Sequence, residues 1–128
     1  MKPKPLSVLL IDDDPEMANL LQIILDYHNI HLEVADTAQN GLEYLTKNVP
    51  DLIVVDLILP DLDGYHVLGH IRENPATQNA KVILTTTYFG NSTKDTVLRY
   101  GFDGFLPKPI TALSVVPYLE NIALGRVN

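Results

Sequence analysis

Acidic side chains stand at the ends of two apolar segments of this sequence. Asp12 and Asp13 directly follow the apolar run VLLI, and Asp56 ends the run LIVVD. Carboxylates that are brought together without a positive partner repel one another and destabilise a fold. A hard divalent cation removes this repulsion, and Mg²⁺ prefers a few carboxylates together with water and phosphate oxygens. These residue types therefore predict a magnesium site, provided that the fold brings the two segments together.

Two other polar groups follow later apolar segments. A threonine triplet occupies residues 85–87, and Lys108 lies in the run GFLPKP. Phosphoryl oxygens are held by a metal ion, a cation and hydroxyl or amide donors, so a lysine and a threonine would complete a phosphoryl-binding set. A solvated acidic rim is the simpler interpretation. However, acid and base groups occur at the ends of several separate apolar segments, and this pattern argues against a merely solvated rim.

The segments that carry these groups alternate between two periodicities. Short apolar runs rich in β-forming residues predict strands at residues 7–11, 31–35, 52–55, 81–85 and 104–106. Helical spacing of apolar residues predicts helices at residues 15–28, 38–47, 64–73, 92–100 and somewhere within 111–124. Strands that alternate with helices in this way imply a parallel sheet covered on both faces. Ligands bind at the carboxyl ends of such strands, so the polar groups would share one edge of the sheet.

Some residues are explained by local structure rather than by chemistry. Asp14 and Asp63 each precede a helical segment, and both are predicted to be N-caps. Asp61 is expected to be solvated. Pro117 lies within the fifth helical segment, so that helix either begins at Ser114, with the proline in its first turn, or is kinked at the proline.

A pair of histidines stands four residues apart on the third predicted helix. His66 and His70 have a spacing that can bind a metal ion. No third ligand is evident from the sequence, and two exposed histidines explain the pair more simply. The sequence alone therefore assigns them no role.

Composition restricts the class of protein and its setting. The chain has 128 residues, no cysteine and a net charge of −7, and 46% of its residues are hydrophobic. This length suits one domain with one sizeable core, and the missing cysteines exclude disulfides and thiolate metal sites. A nucleic-acid surface would need clustered lysine and arginine. The first apolar run is too short for a signal peptide or a membrane span, so we expect a cytoplasmic protein without nucleic-acid or membrane partners.

The sequence resembles the receiver domain of two-component response regulators over essentially its whole length. The matching motifs occur in the order IDDDP, VVDLILPDLDG, VILTTT and DGFLPKPI. The intervals from Asp56 to Thr86 and from Thr86 to Lys108 also agree with this family. The resemblance implies an α/β, flavodoxin-like (βα)5 fold, a doubly wound, five-stranded parallel sheet with the strand order 2-1-3-4-5.

The resemblance also implies a role for each acidic residue at the predicted edge. Asp56 matches the phospho-acceptor, a carboxylate nucleophile that attacks a phosphoryl group in line. Asp12 and Asp13 match the acidic pair that holds Mg²⁺, Asp13 directly and Asp12 largely through water. The backbone carbonyl of Ile58 matches the remaining protein ligand of the metal.

Lys108 and Thr86 match two groups that bind the phosphoryl oxygens in this family. Lys108 matches a lysine that pairs with a phosphoryl oxygen and precedes a cis peptide bond to proline. Thr86 matches a hydroxyl that moves to the phosphoryl group, and among the three threonines only Thr86 keeps both intervals. Thr87 replaces a residue that is usually small, so its bulk is expected to narrow access for small phosphodonors or for the partner's histidine.

Three further side chains are expected to tune the switch. Phe105 matches an aromatic residue that turns inward when the threonine moves. Because phenylalanine has no hydroxyl to hold it outward, we predict that Phe105 is largely buried even without phosphorylation, which would leave the surface partly pre-switched. Ile58 and Tyr88 match the positions that flank the path of an attacking water. Neither would position that water well, so we predict slow self-dephosphorylation.

We therefore expect a single receiver domain over residues 1–128 without an output domain. It would be a phosphorylation-driven, Mg²⁺-dependent switch rather than an enzyme, although it would assist its own phosphorylation and dephosphorylation. The implied phosphoryl donor is a phosphohistidine on a histidine kinase or a phosphotransfer protein, as in a phosphorelay. An output protein, or a second copy of the chain in a homodimer, would dock on the face made by the fourth helix, the fifth strand and the fifth helix.

Two other functions remain open from the sequence. An aspartate-nucleophile phosphatase shares the nucleophile and the magnesium, but its DxDxT-type motif is absent because LIL follows Asp56. A flavodoxin-like ligand-binding domain would need a phosphate-cradling loop after the first strand, and the acidic run DDDPEM argues against one.

Overall fold

The structure is a computed structural model that describes residues 6–126, in which strands alternate with helices along the chain. The strands are β1 (Ser7–Ile11), β2 (His31–Ala35), β3 (Leu52–Asp56), β4 (Lys81–Thr86) and β5 (Gly104–Pro107). All neighbouring strands pair in parallel. They form one sheet in the order β2-β1-β3-β4-β5, which confirms the doubly wound, flavodoxin-like fold that the sequence predicted.

Parallel neighbours need crossover connections, and a helix follows each strand. The helices are α1 (Pro15–Tyr27), α2 (Ala38–Tyr44), α3 (Gly64–Glu73), α4 (Thr93–Tyr100) and α5 (Ala112–Ala123). Asp14 is the N-cap of α1, as predicted, because its carboxylate accepts the N–H of Glu16 at 3.0 Å. Asp63 is the N-cap of α3 in the same way and accepts the N–H of His66 at 2.9 Å.

Two helices differ from the sequence prediction by more than one residue at an end. α2 stops three residues before the expected end at 47, since the side chains of Thr46 and Asn48 donate hydrogen bonds to carbonyls of its last turn. α5 begins at Ala112, so the predicted alternative of a start at Ser114 is wrong, and Pro117 lies inside the helix. Pro117 is exposed, and its neighbour Val116 is buried, so packing holds the helix although the proline donates no hydrogen bond.

The core lies on both faces of the sheet. Side chains such as Leu10 and Val54 pack with α1 and α5, whereas Leu9 and Val55 pack with α2, α3 and α4. Burial on both faces explains why the inner strands β1 and β3 are mostly apolar. A polar side chain on these strands can reach solvent only where the strand ends, whereas the edge strand β2 is partly exposed along its length. Within residues 6–126, no helix combines the length and the hydropathy that a membrane span requires.

Candidate functional site

Acidic residues converge at the carboxyl edge of the sheet. β1 and β3 are adjacent strands, so Asp12 and Asp13 lie beside Asp56, and carboxylate oxygens of the three residues lie within 4.8 Å of one another. Asp12 and Asp56 are buried, whereas Asp13 is exposed to solvent. We call these three residues the acidic cluster. Its formation is what the strand-end rule predicted from the sequence.

Lys108 is the positive partner of the acidic cluster. Its Nζ lies 2.8 Å from Asp12 Oδ2, 3.5 Å from Asp56 Oδ2 and 3.4 Å from Asp14 Oδ2. Burial alone would disfavour its charge, but the neighbouring carboxylates, above all that of Asp12, outweigh burial and raise the pKa of Lys108. Lys108 is therefore a buried ammonium. The peptide bond from Lys108 to Pro109 is cis, as the resemblance implied.

The acidic cluster keeps a surplus of negative charge despite Lys108. Burial, followed by the charge of Asp12, raises the pKa of Asp56 to about 6. Asp12 Oδ2 is buried and makes no hydrogen bond to any described residue. Its contact with Lys108 is an ion pair rather than an aligned hydrogen bond. A buried carboxylate oxygen without a hydrogen bond is costly, and it suits a ligand of a cation. The residues present therefore fit a hard divalent cation.

The loop after β3 is fixed on two sides. Ile58 pairs with Asp63 in an isolated bridge within the loop. Asp61 accepts the N–H groups of Ala38 and Gln39, each at 2.9 Å, so it binds the first turn of α2. These bonds lower the pKa of Asp61. Asp61 is exposed, as the sequence predicted, but its contact with α2 was not predicted, because a contact between distant segments leaves no local sequence signal.

The three threonines at the end of β4 have different surroundings. The hydroxyl of buried Thr85 donates to the carbonyl of Leu106 at 2.7 Å. The hydroxyl of buried Thr86 accepts the N–H of Tyr88 at 3.0 Å, so its own hydrogen stays free to donate elsewhere. Thr87 is exposed and lines a cleft of about 210 Å³ together with Lys108. Thr86 is thus the buried threonine whose hydroxyl hydrogen has no acceptor among the described residues, and Thr87 is the exposed threonine beside Lys108; the roles that the resemblance implies for them stay predictions.

The aromatic residues near the site divide into buried and exposed. Phe105 is 8% exposed and belongs to the apolar cluster on the side of α4, so its predicted burial is confirmed. Phe89 covers it edge to face, with 6.0 Å between ring centroids. Tyr88 is 69% exposed and Ile58 55% exposed, so both side chains lie largely in solvent.

The sequence analysis did not predict one contact of β5. The N–H of Phe105 donates to the hydroxyl of Tyr118 on α5 at 2.8 Å. Burial raises the pKa of the Tyr118 hydroxyl. A Cβ at Gly104 would lie 2.6 Å from this hydroxyl, so only glycine leaves room for the contact. A glycine inside a strand is the signal that could have indicated such a close approach.

Comparisons with known proteins agree with this geometry. A family model described as the response regulator receiver domain matches residues 8–119. The chemotaxis protein CheY of Halobacterium salinarum is 32% identical over 119 residues, which cover 91% of this chain and 95% of that protein. The transcriptional regulatory protein TrcR of Mycobacterium tuberculosis is 33% identical over 123 residues, which cover 92% of this chain but 45% of TrcR. This chain thus spans about half the length of that relative.

A solved structure gives the same result. A putative response regulator from Chloroflexus aurantiacus has a TM-score of 0.87 and 28% sequence identity, and the match covers 94% of this chain and 99% of that one. The family model, the relatives and the strand order agree with one another. The chain belongs to the response regulator receiver domain family.

Proposed function

We propose that this chain is a phosphorylation-driven switch whose phospho-acceptor is Asp56. The observation that carries the proposal is the acidic cluster, in which Asp12 Oδ2 is buried beside the Nζ of Lys108 and has no hydrogen bond to any described residue. The oxygens of a transferring phosphoryl group need positive charge and hydrogen-bond donors around them. Membership of the receiver family supports the same assignment.

The acidic cluster would hold Mg²⁺. Asp12, Asp13 and Asp56 offer carboxylate oxygens, and the backbone carbonyl of Ile58 is the proposed fourth protein ligand. When bound, the ion would neutralise charge on the carboxylates and on the phosphoryl oxygens. The remaining chemistry belongs to the side chains of this chain.

Asp56 is the proposed nucleophile. With a pKa of about 6, its side chain is mostly ionised at neutral pH. We propose that a carboxylate oxygen attacks the phosphorus of a phosphohistidine on a histidine kinase or a phosphotransfer protein. A phosphorus–oxygen bond forms and the phosphorus–nitrogen bond breaks, so that the imidazole leaves with the electron pair. The product on Asp56 is an acyl phosphate.

Lys108 and Thr86 would bind the oxygens of the transferred group. Lys108 Nζ already lies 3.5 Å from Asp56 Oδ2, and its raised pKa keeps it positive. The hydroxyl of Thr86 has a free hydrogen, since its oxygen accepts from Tyr88. A shift of Thr86 toward a phosphoryl oxygen would therefore also act on Tyr88 and the exposed loop that follows β4.

The surface that would change with phosphorylation is the face formed by α4, β5 and α5. Phe105 is already buried beneath Phe89, so part of the rearrangement expected in this family would be complete before phosphorylation. We propose that an output protein or a second copy of the chain docks on this face.

Intact-mass measurement after incubation with acetyl phosphate and Mg²⁺ tests the proposal. The wild type should gain one phosphoryl group, and Asp56→Asn should gain none. Asp36→Asn is a matched control, because Asp36 is an exposed aspartate that follows β2 at the same edge of the sheet. Labelling of Asp56→Asn, or no labelling of the wild type, would contradict the proposal. Steady turnover of phosphate esters would instead indicate a phosphatase.

A further inference from the structure

The outward face of α3 carries metal-binding residue types that do not belong to the acidic cluster. His66, His70 and Glu73 are all exposed. They follow one another at intervals of four and three residues, which places them on one side of the helix. Glu73 supplies the third ligand that was not evident from the sequence alone.

Asp63 orients one of these histidines. Its Oδ2 lies 3.0 Å from His66 Nδ1. This contact favours a proton on Nδ1 and leaves the lone pair of Nε2 free. Histidines that bind metal ions commonly donate their other ring N–H to a carboxylate, which fixes the ring and strengthens the ligand. The Asp63 carboxylate thus lies close enough to accept this N–H when Nε2 of His66 binds a metal ion.

The space beside these residues is open. A cleft of about 230 Å³ is lined by Tyr65, His66, Gly69, His70, Glu73 and Tyr100. Gly69 lies between the two histidines, and a Cβ added there would meet nothing within 4 Å. The helix itself is held firmly, because Val67, Leu68 and Ile71 are buried on its other side.

The charge of this surface also favours a cation. No lysine or arginine is among the described residues that line the cleft. Arg72 belongs to the same helix but lies 3.0 Å from Asp103 and donates to the carbonyls of Ala80 and Gly101. Among the described residues, the carboxylate of Glu73 therefore faces no lysine or arginine in the cleft.

We propose that His66, His70 and Glu73 bind a divalent transition-metal ion of the zinc class. Two imidazole nitrogens and one carboxylate oxygen leave one position of a tetrahedral site for water. In residues 6–126 only the acidic cluster has three donor groups already in mutual reach, so the exposed side chains of His70 and Glu73 turn toward His66 on binding. Imidazole ligands favour zinc and related ions over Mg²⁺, so this site and the acidic cluster would bind different metals.

Calorimetric titration of the untagged protein with Zn²⁺ tests the site, with excess Mg²⁺ present to occupy the acidic cluster. We expect one binding event, and affinity reduced at least about tenfold in His66→Gln, His70→Gln and Glu73→Gln. Asp63→Asn keeps a residue that caps helices but removes the carboxylate behind His66, so affinity should fall by about tenfold.

The chain supplies matched controls, because its two other histidines, His28 and His31, are also exposed and lie outside α3. His28→Gln and His31→Gln should bind Zn²⁺ like the wild type. Absence of binding to the wild type would overturn the proposal, as would full affinity in His66→Gln, His70→Gln or Glu73→Gln. Zn²⁺ binding that disappears in Asp13→Asn would belong to the acidic cluster and would also overturn it.

Discussion

Two charged clusters lie at opposite edges of the same sheet, and their charges are balanced in different ways. At the amino edge, Arg72 and Asp103 are 3.0 Å apart. Arg72 also donates to the carbonyl of Ala80 at 2.6 Å, and Asp103 accepts the N–H of Val82 at 2.8 Å. One positive and one negative side chain thus satisfy each other and the backbone around them.

At the carboxyl edge, several carboxylates share one lysine. Asp12, Asp56 and Asp14 all lie within 3.5 Å of Lys108 Nζ, and Asp13 adds another negative charge. Asp12 Oδ2 is left without a hydrogen bond to any described residue. Balanced charges are typical of structural contacts. Buried charges that the fold leaves unbalanced indicate a place where a ligand completes the balance.

The largest expected effect concerns Asp56 in the absence of metal. Its pKa is raised from 3.8 to about 6, so the folded state holds the proton more tightly than the unfolded state. The free energy of unfolding therefore falls as the pH rises through this interval. Asparagine does not ionise, so Asp56→Asn avoids this loss of stability. The variant should be more stable than the wild type by about 3 kcal/mol at neutral pH.

Urea unfolding of metal-free protein at several pH values measures this difference. The advantage of Asp56→Asn should shrink as the pH falls and disappear below the ordinary aspartate pKa, where both side chains are neutral. A variant that is less stable than the wild type at neutral pH would show that the carboxyl edge is not strained by its charges.

The next effect concerns the amino edge, where breaking the balance should cost stability. Arg72→Ala leaves the carboxylate of Asp103 without its ion pair and removes the hydrogen bonds to nearby carbonyls, so the free energy of unfolding should fall by about 2 kcal/mol. Mg²⁺ affinity should not change. Arg99→Ala is the matched control, because Arg99 is an exposed arginine on α4. If Arg72→Ala and Arg99→Ala are equally stable, the charge balance at the amino edge does not stabilise the fold, and the proposed difference between the two edges is wrong.

The smallest expected effect concerns two exposed side chains outside the charged clusters. Ile58 and Tyr88 do not contribute to the charge balance, but they flank the proposed path of the water that attacks the acyl phosphate. Ile58→Asn combined with Tyr88→Glu should speed the loss of the phosphoryl group by about tenfold, with little change in stability. Decay of phosphorylated protein in excess Mg²⁺ measures the rate. Equal lifetimes of the wild type and the double variant would mean that the metal and Lys108 alone set the rate of phosphoryl loss.

The carboxyl edge was predictable from the sequence because its signals are local. An apolar run that ends in aspartate indicates a buried strand that delivers a carboxylate to the edge, and this applies to both Asp12 and Asp56. Asp14 and Asp63 were predictable as N-caps because a cap precedes its own helix. The strand order then brought the separate carboxylates together, and the resemblance to receiver domains supplied that order.

The contacts that were not predicted join residues far apart in the chain. Asp61 binds the first turn of α2, and Arg72 binds Asp103. Each of these residues is an ordinary charged residue in its own segment, and only the packed fold brings it to its partner. The start of α5 before Pro117 has a similar cause, since tertiary packing outweighs the local cost of a proline within a helix.

The unfolding temperature of the wild type with and without Mg²⁺ tests the account most directly. If the ion completes the charge balance of the acidic cluster, Mg²⁺ at about a hundred times its Kd should stabilise the protein by about 2.7 kcal/mol, or roughly 10 °C. Asp13→Ala should lose this gain, whereas Asp36→Ala at the same edge should keep it. An unchanged wild-type midpoint, or an equal rise in Asp13→Ala, would contradict the account.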